Sequence, residues 1–236
     1  MNILCVIPAR GGSKGLKNKN VMSLCGRPVI SYTIEAALES KLINKIVVST
    51  EDKKIARVSS RYKVQIIKRP GKYSVDSAPI EMALRHAVSY IKDKAGYNAD
   101  IVVWLQANMP VRKKGQIDKV IRKLISTGAD SAVTVRCVDQ YPQWMKTMDK
   151  EGFLLPFMPK IKAYRRQDLT PMFLLDGAIV AMRRNVLMDT TGKHGVHVFM
   201  GKKIVGVIED TKYATELHDK DDVNLARFYL SEKNGR

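Results

Sequence analysis

Between positions 9 and 20 the sequence reads A-R-G-G-S-K-G-L-K-N-K-N, which sets Arg10, Lys14, Lys17 and Lys19 around Gly11, Gly12 and Gly15. Glycines let the main chain pass close to a ligand, so successive N–H groups can converge on anionic oxygens while the cations neutralise them. That chemistry suits a triphosphate. The spacing matches neither G-x-x-x-x-G-K-[ST] nor G-x-G-x-x-G, so the loop is not one of the two common nucleotide fingerprints, and a basic surface turn would share its composition. Further along, Gln106 follows an apolar run and precedes Pro110. An amide at such a strand exit offers both a donor and an acceptor with which to read a base or a hydroxyl.

These groups have to be positioned by regular elements. Ahead of the loop, Ile3, Leu4, Val6 and Ile7 are apolar in succession rather than alternating, as in a central strand covered on both faces, and Pro8 ends the ladder. Lys45–Thr50, 64–67, Ile101–Leu105, 131–136 and 203–208 read as further strands. Between them, Ile30, Ile34 and Ala37, then Ile80, Leu84, Ala87 and Ile91, then Ile117, Val120, Ile121 and Leu124 recur at helical steps. Glu51-Asp52 opens a short helix, and Asp219 to Asp222 cap a closing one. The alternation predicts a layered α/β domain spanning residues 1–236, with a mostly parallel sheet. Ligands of such sheets gather outside the carboxyl ends of the strands, where the glycine-rich loop falls. His86 lies on a helix flank and reads as structural. Segment 138–171 breaks the pattern: Pro142, Pro156, Pro159 and Pro171 stand among Trp144, Phe153, Phe157 and Tyr164 with little periodicity. A connection this long inside a compact domain is normally functional.

The 236 residues suit one domain with an insertion. Lysine and arginine outnumber the acids 41 to 23, a formal charge of +18 that attracts polyanions. The basic residues are spread along the chain without a zinc-finger or RNA-recognition signature, so no nucleic-acid partner is expected. Cys5, Cys25 and Cys137 lack the spacing of a disulfide framework or a zinc site. With no basic-then-apolar leader and no spanning apolar stretch, the chain reads as cytoplasmic, with no membrane partner.

Read whole, I-P-A-R-G-G-S-K-G-L-K-N-K-N closely resembles the nucleotide-binding signature of the acylneuraminate cytidylyltransferase family, whose members make CMP-activated sialic, legionaminic and pseudaminic acids. The resemblance continues along nearly the whole chain. L-Q-A-N-M-P-V-R, from 105, resembles the family's L-Q-P-T-S-P-L-R, with Gln106, Pro110 and Arg112 matching and Asn108 and Met109 replacing small hydroxyl residues. R-R-Q-D-L-T-P, from 165, resembles R-[RK]-Q-D-x-P, and F-L-L-D-G-A-I-V, from 173, resembles Y-x-x-N-G-A-I-Y. Phe173 and Asp176 are departures: one removes a phenol, the other adds a negative charge near the expected position of an anionic sugar. Where the family carries D-x-D before the last helix, this chain has Glu216-Leu217-His218.

The resemblance implies an α/β, three-layer nucleotidyltransferase fold of Rossmann-like, GT-A-like type with a mostly parallel mixed sheet, and segment 138–171 as a small dimerisation lobe that completes the partner's sugar site in a homodimer. It implies that CTP and an acidic nonulosonic-type sugar give a CMP-sugar and pyrophosphate. Ala9, Arg10, Gly11, Gly12, Ser13, Lys14, Gly15, Lys19, Asn20, Arg69 and Gln106 would bind the nucleotide, with Arg10 and Lys19 bearing most of the transition-state charge. Gln106, Arg112, Arg166, Gln167, Asp168, Phe173 and Asp176 would face the sugar. Glu216 and His218 would hold magnesium, with manganese as the alternative because imidazole is a poor magnesium ligand. Two rival readings stand beside this one: the same chemistry with GTP or another sugar, and a catalytically impaired nucleotide- or polyanion-binding homologue.

Overall fold

The computed structural model describes residues 1–13, 15–158, 165–189, 191 and 195–234. In chain order these form β1 (Ile3–Pro8), β2 (Ser23–Leu24), β3 (Arg27–Pro28), α1 (Val29–Leu38), β4 (Lys45–Thr50), α2 (Lys53–Ser59), β5 (Gln65–Lys68), α3 (Ile80–Ala95) and β6 (Ile101–Leu105). There follow α4 (Gln116–Thr127), β7 (Ser131–Cys137), β8 (Lys146–Met148), β9 (Leu154–Pro156), β10 (Phe173–Arg183), α5 (Arg184–Met188), β11 (Ile204–Ile208) and α6 (Lys220–Asn234).

The apolar run of β1 is buried because the strand is covered twice. Ile3, Cys5 and Ile7 face a core shared with Ile30 and Ile34 of α1 and Ile117 and Ile121 of α4. Leu4 and Val6 face the other, shared with Leu84, Val88 and Ile91 of α3. The three-layer α/β arrangement follows from that alternation of side-chain direction.

Seven strands form the sheet in the order β11-β7-β10-β6-β1-β4-β5. Only β10 runs antiparallel to its neighbours, β6 and β7. From β1 the chain winds outward to β4 and β5, then returns to place β6 on the other flank of β1. The carboxyl ends of β1 and β6 therefore border the crevice in which such folds bind ligands.

Several elements differ from the sequence expectation: β2, β3 and α5 were not anticipated, and two further regions were read differently. Residues 173–183, read as a motif and not as a strand, form the long β10; its register shifts between Leu175 and Val180, around Gly177 at φ +69°. That irregularity hides the strand's periodicity. Segment 138–171, expected to lack periodicity, holds an antiparallel hairpin, β8–β9, whose residues are all exposed and so carry no inside–outside alternation. Its tip and flank present Met148, Phe153, Leu154 and Phe157 to solvent, with Phe153 69% exposed. Pro159 and Tyr164 of this segment lie outside the described residues.

Both predicted helix starts are capped. The Asp52 carboxylate accepts the N–H groups of Lys54 and Ile55 at the start of α2. Asp219 accepts those of Asp221 and Asp222, while Asp222 reaches back to the N–H of His218, a reciprocal arrangement like a capping box. The α6 face then packs Val223, Ala226 and Leu230 with Leu217 and Leu24, which anchors residues 216–218 beside the crevice.

Candidate functional site

At the carboxyl ends of β1 and β6 lies a cavity of about 610 Å³. Its wall includes Arg10, Ser13, Gly15, Lys19 and Asn20 of the loop, Arg69 after β5, Gln106 and Asn108 after β6, and Glu216 and His218 before α6. The size suits a nucleotide, and the wall combines apolar surface from Ile80 and Trp104 with polar groups and the cations Arg10, Lys19 and Arg69. Ala9 is buried just behind it, its N–H on the carbonyl of Ser49. Lys14 lies outside the described residues.

The loop is fixed from behind by acids. The N–H of Gly11 donates to Glu51 Oε1 at 2.7 Å, and Glu51 Oε2 accepts from Arg69 Nη2 at 2.9 Å. Arg69, only 4% exposed, also donates through Nε to Ser74. Burial opposes ionisation of Glu51, but the bonds from Arg69 and Gly11 hold its carboxyl below the usual range. A Cβ at Gly11 would meet Asp52 Oδ2 at 2.5 Å, and one at Gly15 would meet the His218 carbonyl at 2.7 Å. Gly12 takes φ +65°, the left-handed region. Three glycines thus serve three purposes: two close approaches and one turn. Asn20 closes the loop by donating to the carbonyl of Arg10 at 3.0 Å. Arg10 itself is ion-paired with Asp76 from the loop after β5.

The opposite wall is organised by Glu216. Its Oε1 accepts from the amides of Gln106 and of Asn108, the latter at 3.1 Å, and its Oε2 lies 3.2 Å from His218 Nε2. Lys19 Nζ donates to the carbonyl of Leu217 at 2.8 Å. Burial pushes the Lys19 ammonium below its usual range, Glu216 opposes the change and Arg10 adds to it. Asn108, which stands in place of a small hydroxyl residue, stitches this wall together: Leu217 N–H donates to its carbonyl and its amide to the Leu217 carbonyl.

Glu216 is the one carboxylate in the wall described, and the described residues hold no cluster of three ligating His, Cys, Asp or Glu side chains. Magnesium commonly binds through one or two carboxylates with waters and substrate phosphates completing the shell. Glu216 fits that pattern; the imidazole of His218, already beside Glu216 Oε2, fits it poorly. The Asp210 carboxylate caps the turn at Lys212.

The residues expected to face the sugar are more scattered. A groove of about 390 Å³ adjoins the cavity, sharing Glu216 and His218 and bordered by Arg136, Leu174 and Asp176. Asp176 turns partly inward: its Oδ1 takes the Thr134 hydroxyl and the Ala178 N–H. Arg112 is 5% exposed, with both terminal nitrogens on main-chain carbonyls. It lines a separate cavity with Arg27 and Glu35, and burial pushes its guanidinium down to about 10. Arg166 pairs with Asp139, Asp168 pairs with Arg165, and these side chains, like Gln167 and Phe173, lie exposed and outside the cavity wall. Glu51, Asp76 and Asn108 were missed by sequence reasoning. An acid directly after a buried strand, in V-V-S-T-E-D, was the available signal for Glu51.

A mixed α/β sheet with a glycine-rich, cationic loop at its crevice defines a nucleotide-binding α/β domain. The chain belongs to the cytidylyltransferase family: a family model described as "Cytidylyltransferase" matches residues 4–191. It is 34% identical over 181 residues to the N-acylneuraminate cytidylyltransferase of Streptococcus agalactiae serotype V, covering 76% of this chain and 43% of that protein. It is 35% identical over 184 residues to the CMP-N,N'-diacetyllegionaminic acid synthase of Legionella pneumophila, covering 76% and 77%. The chain thus spans less than half of the Streptococcus relative. Among solved structures, a CMP:2-keto-3-deoxy-manno-octonic acid synthetase complexed with CTP superposes with a TM-score of 0.73 at 17% identity, covering 99% of this chain and 100% of that one. That likeness is one of fold. Among the described residues no helix is long and apolar enough to cross a membrane.

Proposed function

We propose that the protein transfers CMP from CTP to an acidic nonulosonic-type sugar and releases pyrophosphate. The observation that carries this reading is the cavity where Arg10, Ser13, Lys19 and Asn20 meet Gln106 and Glu216, in a chain of the cytidylyltransferase family. The anomeric hydroxyl attacks the α-phosphorus, a P–O bond forms there, and the α–β bridging oxygen leaves with pyrophosphate. Such a reaction asks the protein mainly for alignment and charge neutralisation. Arg10 and Lys19 supply the charge, and the triphosphate takes Arg10 from Asp76 on binding. Asn20, Arg69 and Gln106 surround the nucleoside. Glu216 would hold a magnesium ion, which would neutralise phosphate charge when bound.

The sugar half is completed by a second copy of the chain. The exposed apolar hairpin supports this, since Phe153, Leu154 and Phe157 make a surface suited to burial against a partner. Arg166, Gln167 and Asp168, remote from their own cavity wall, then reach the partner's site.

The test is pyrophosphate release with each of four nucleoside triphosphates, with magnesium or manganese, against a panel of nonulosonic acids and the related eight-carbon acid. Release with CTP and one acid is expected. Dependence on GTP would replace the base in this reading, and silence across the panel with nucleotide still bound would overturn it in favour of a binding protein.

A further inference from the structure

The β6–β10 ladder ends at Leu105 paired with Ile179. One step beyond, Arg112 bridges the two strands through main-chain carbonyls: Nη2 donates to Gln106 O at 2.7 Å and Nη1 to Ala178 O at 2.7 Å. We infer that Arg112 is a positioning residue, which ties β6 to β10 just past the last rung of their ladder and so holds the Gln106 amide against Glu216 in the nucleotide cavity. The inference rests on the proposed role of Gln106 at the substrates.

Two features make this tie specific to Gln106. The side chain of Gln106 runs over Gly177, where a Cβ would lie 3.0 Å from Oε1, so the position of the β10 irregularity sets the position of the amide. The amide then donates to Glu216. A shift of the Ala178 carbonyl therefore reaches the cavity through one glycine and one side chain. Thr33 supports the same point with longer contacts, its hydroxyl 3.3 Å from the carbonyls of Gln106 and Ala107.

The buried cation also has a counter-charge. Asp176 is anchored next to the tie by Thr134 and by the N–H of Ala178, the residue whose carbonyl Arg112 holds. Its negative charge favours the charged form of Arg112 against burial. A guanidinium suits the task because its planar fork spans two acceptors, which an ammonium cannot match in the same geometry.

Arg112→Lys, Gln106→Ala and the double variant test the tie in steady-state turnover and in CTP binding measured without sugar. Arg112→Lys should lower kcat/KM by about tenfold, while adding it to Gln106→Ala should change the result by less than about twofold, since both act through one amide. Thr33→Val, which removes only a hydroxyl, should show the same non-additivity at smaller size. Multiplying effects, or a raised sugar KM with unchanged kcat and CTP affinity, would overturn the inference and return Arg112 to the sugar. A lowered unfolding temperature with unchanged kcat/KM of the folded protein would also overturn it. If the wild-type protein turns over no substrate pair, the functional reading fails by itself. The tie is then read from the Gln106 side-chain amide resonance, which should move in Arg112→Lys; an unmoved resonance sinks it.

Discussion

The two halves of the cleft are built differently. Around the glycine-rich loop, four polar groups are fixed within this chain: Gly11 by Glu51, Asn20 by the Arg10 carbonyl, Lys19 by Leu217, and Gln106 by Glu216. On the other side, β8, β9 and the first half of β10 expose apolar side chains, and the exposed Arg165 and Arg166 pair with the surface acids Asp168 and Asp139. The first half is pre-organised, as transition-state stabilisation requires. The second is an exposed apolar surface, which the proposed dimer would cover. The contrast teaches where each class of variant should act: changes near the loop in catalysis, changes in the hairpin in assembly and sugar affinity.

The largest effect is expected at Arg10. Arg10→Ala removes a full charge from the proposed phosphate site while breaking only a half-exposed ion pair with Asp76, so turnover should fall about a thousandfold with the unfolding temperature little changed. Turnover within tenfold of wild type would show that the loop's main chain, and not this guanidinium, carries the charge. Gly11→Ala comes next. The new Cβ would lie 2.5 Å from an Asp52 oxygen that cannot simply swing away, because the same carboxylate caps α2. The loop must move instead, and kcat/KM for the nucleotide should drop by about 10–100-fold. A crystal structure of the variant with an unmoved loop would count against this explanation.

Much of the first half was legible in the sequence, because its cues are local. An apolar run, a proline stop and a glycine-rich loop in unbroken succession place β1 and its exit without long-range information. Helices α1, α3 and α4 were legible for the same reason, through periodicity, and α2 and α6 through their acidic starts, whereas the short α5 was not. Arg112 illustrates what was not legible. Its role depends on β10 lying beside β6, a pairing between residues some 75 positions apart (179 against 105), and an arginine in a motif gives no sign of whether it faces a ligand or two carbonyls. Asp76 and Asn108 were hidden likewise, since their partners lie far off in the chain. The hairpin escaped because a strand pair exposed on all sides shows no alternation to read.

The hairpin gives the third prediction. Phe153→Asp should leave the fold intact, because the side chain is exposed in the single chain, yet convert a proposed dimer to monomer in sedimentation velocity. Sugar KM should rise about tenfold, with CTP affinity within twofold, if the lobe completes only the partner's sugar site. A variant that still sediments as the wild type does would place the interface elsewhere. Equal losses for both substrates would erase the division between the two halves.

The smallest effect sharpens the same division from the nucleotide side, through pH. The Glu51 carboxyl sits below the usual range, because the bonds from Arg69 and Gly11 outweigh burial. A depressed acid favours the folded state in its ionised form. Its contribution is therefore complete above the ordinary glutamate value of about 4.3 and fades as pH falls through the lower folded value. Arg69 is buried but Glu51 is part exposed, so solvent screens the pair and the contribution should be about 1 kcal/mol or less. Glu51→Gln keeps an acceptor for the Gly11 N–H and removes the charge. Urea unfolding of both proteins from pH 6 to pH 3 should show the wild type losing its advantage over the variant across the acid end of that range. Parallel curves would mean that the loop is held by the hydrogen bond to Gly11 alone, and that Arg69 stays charged in its site without help from Glu51.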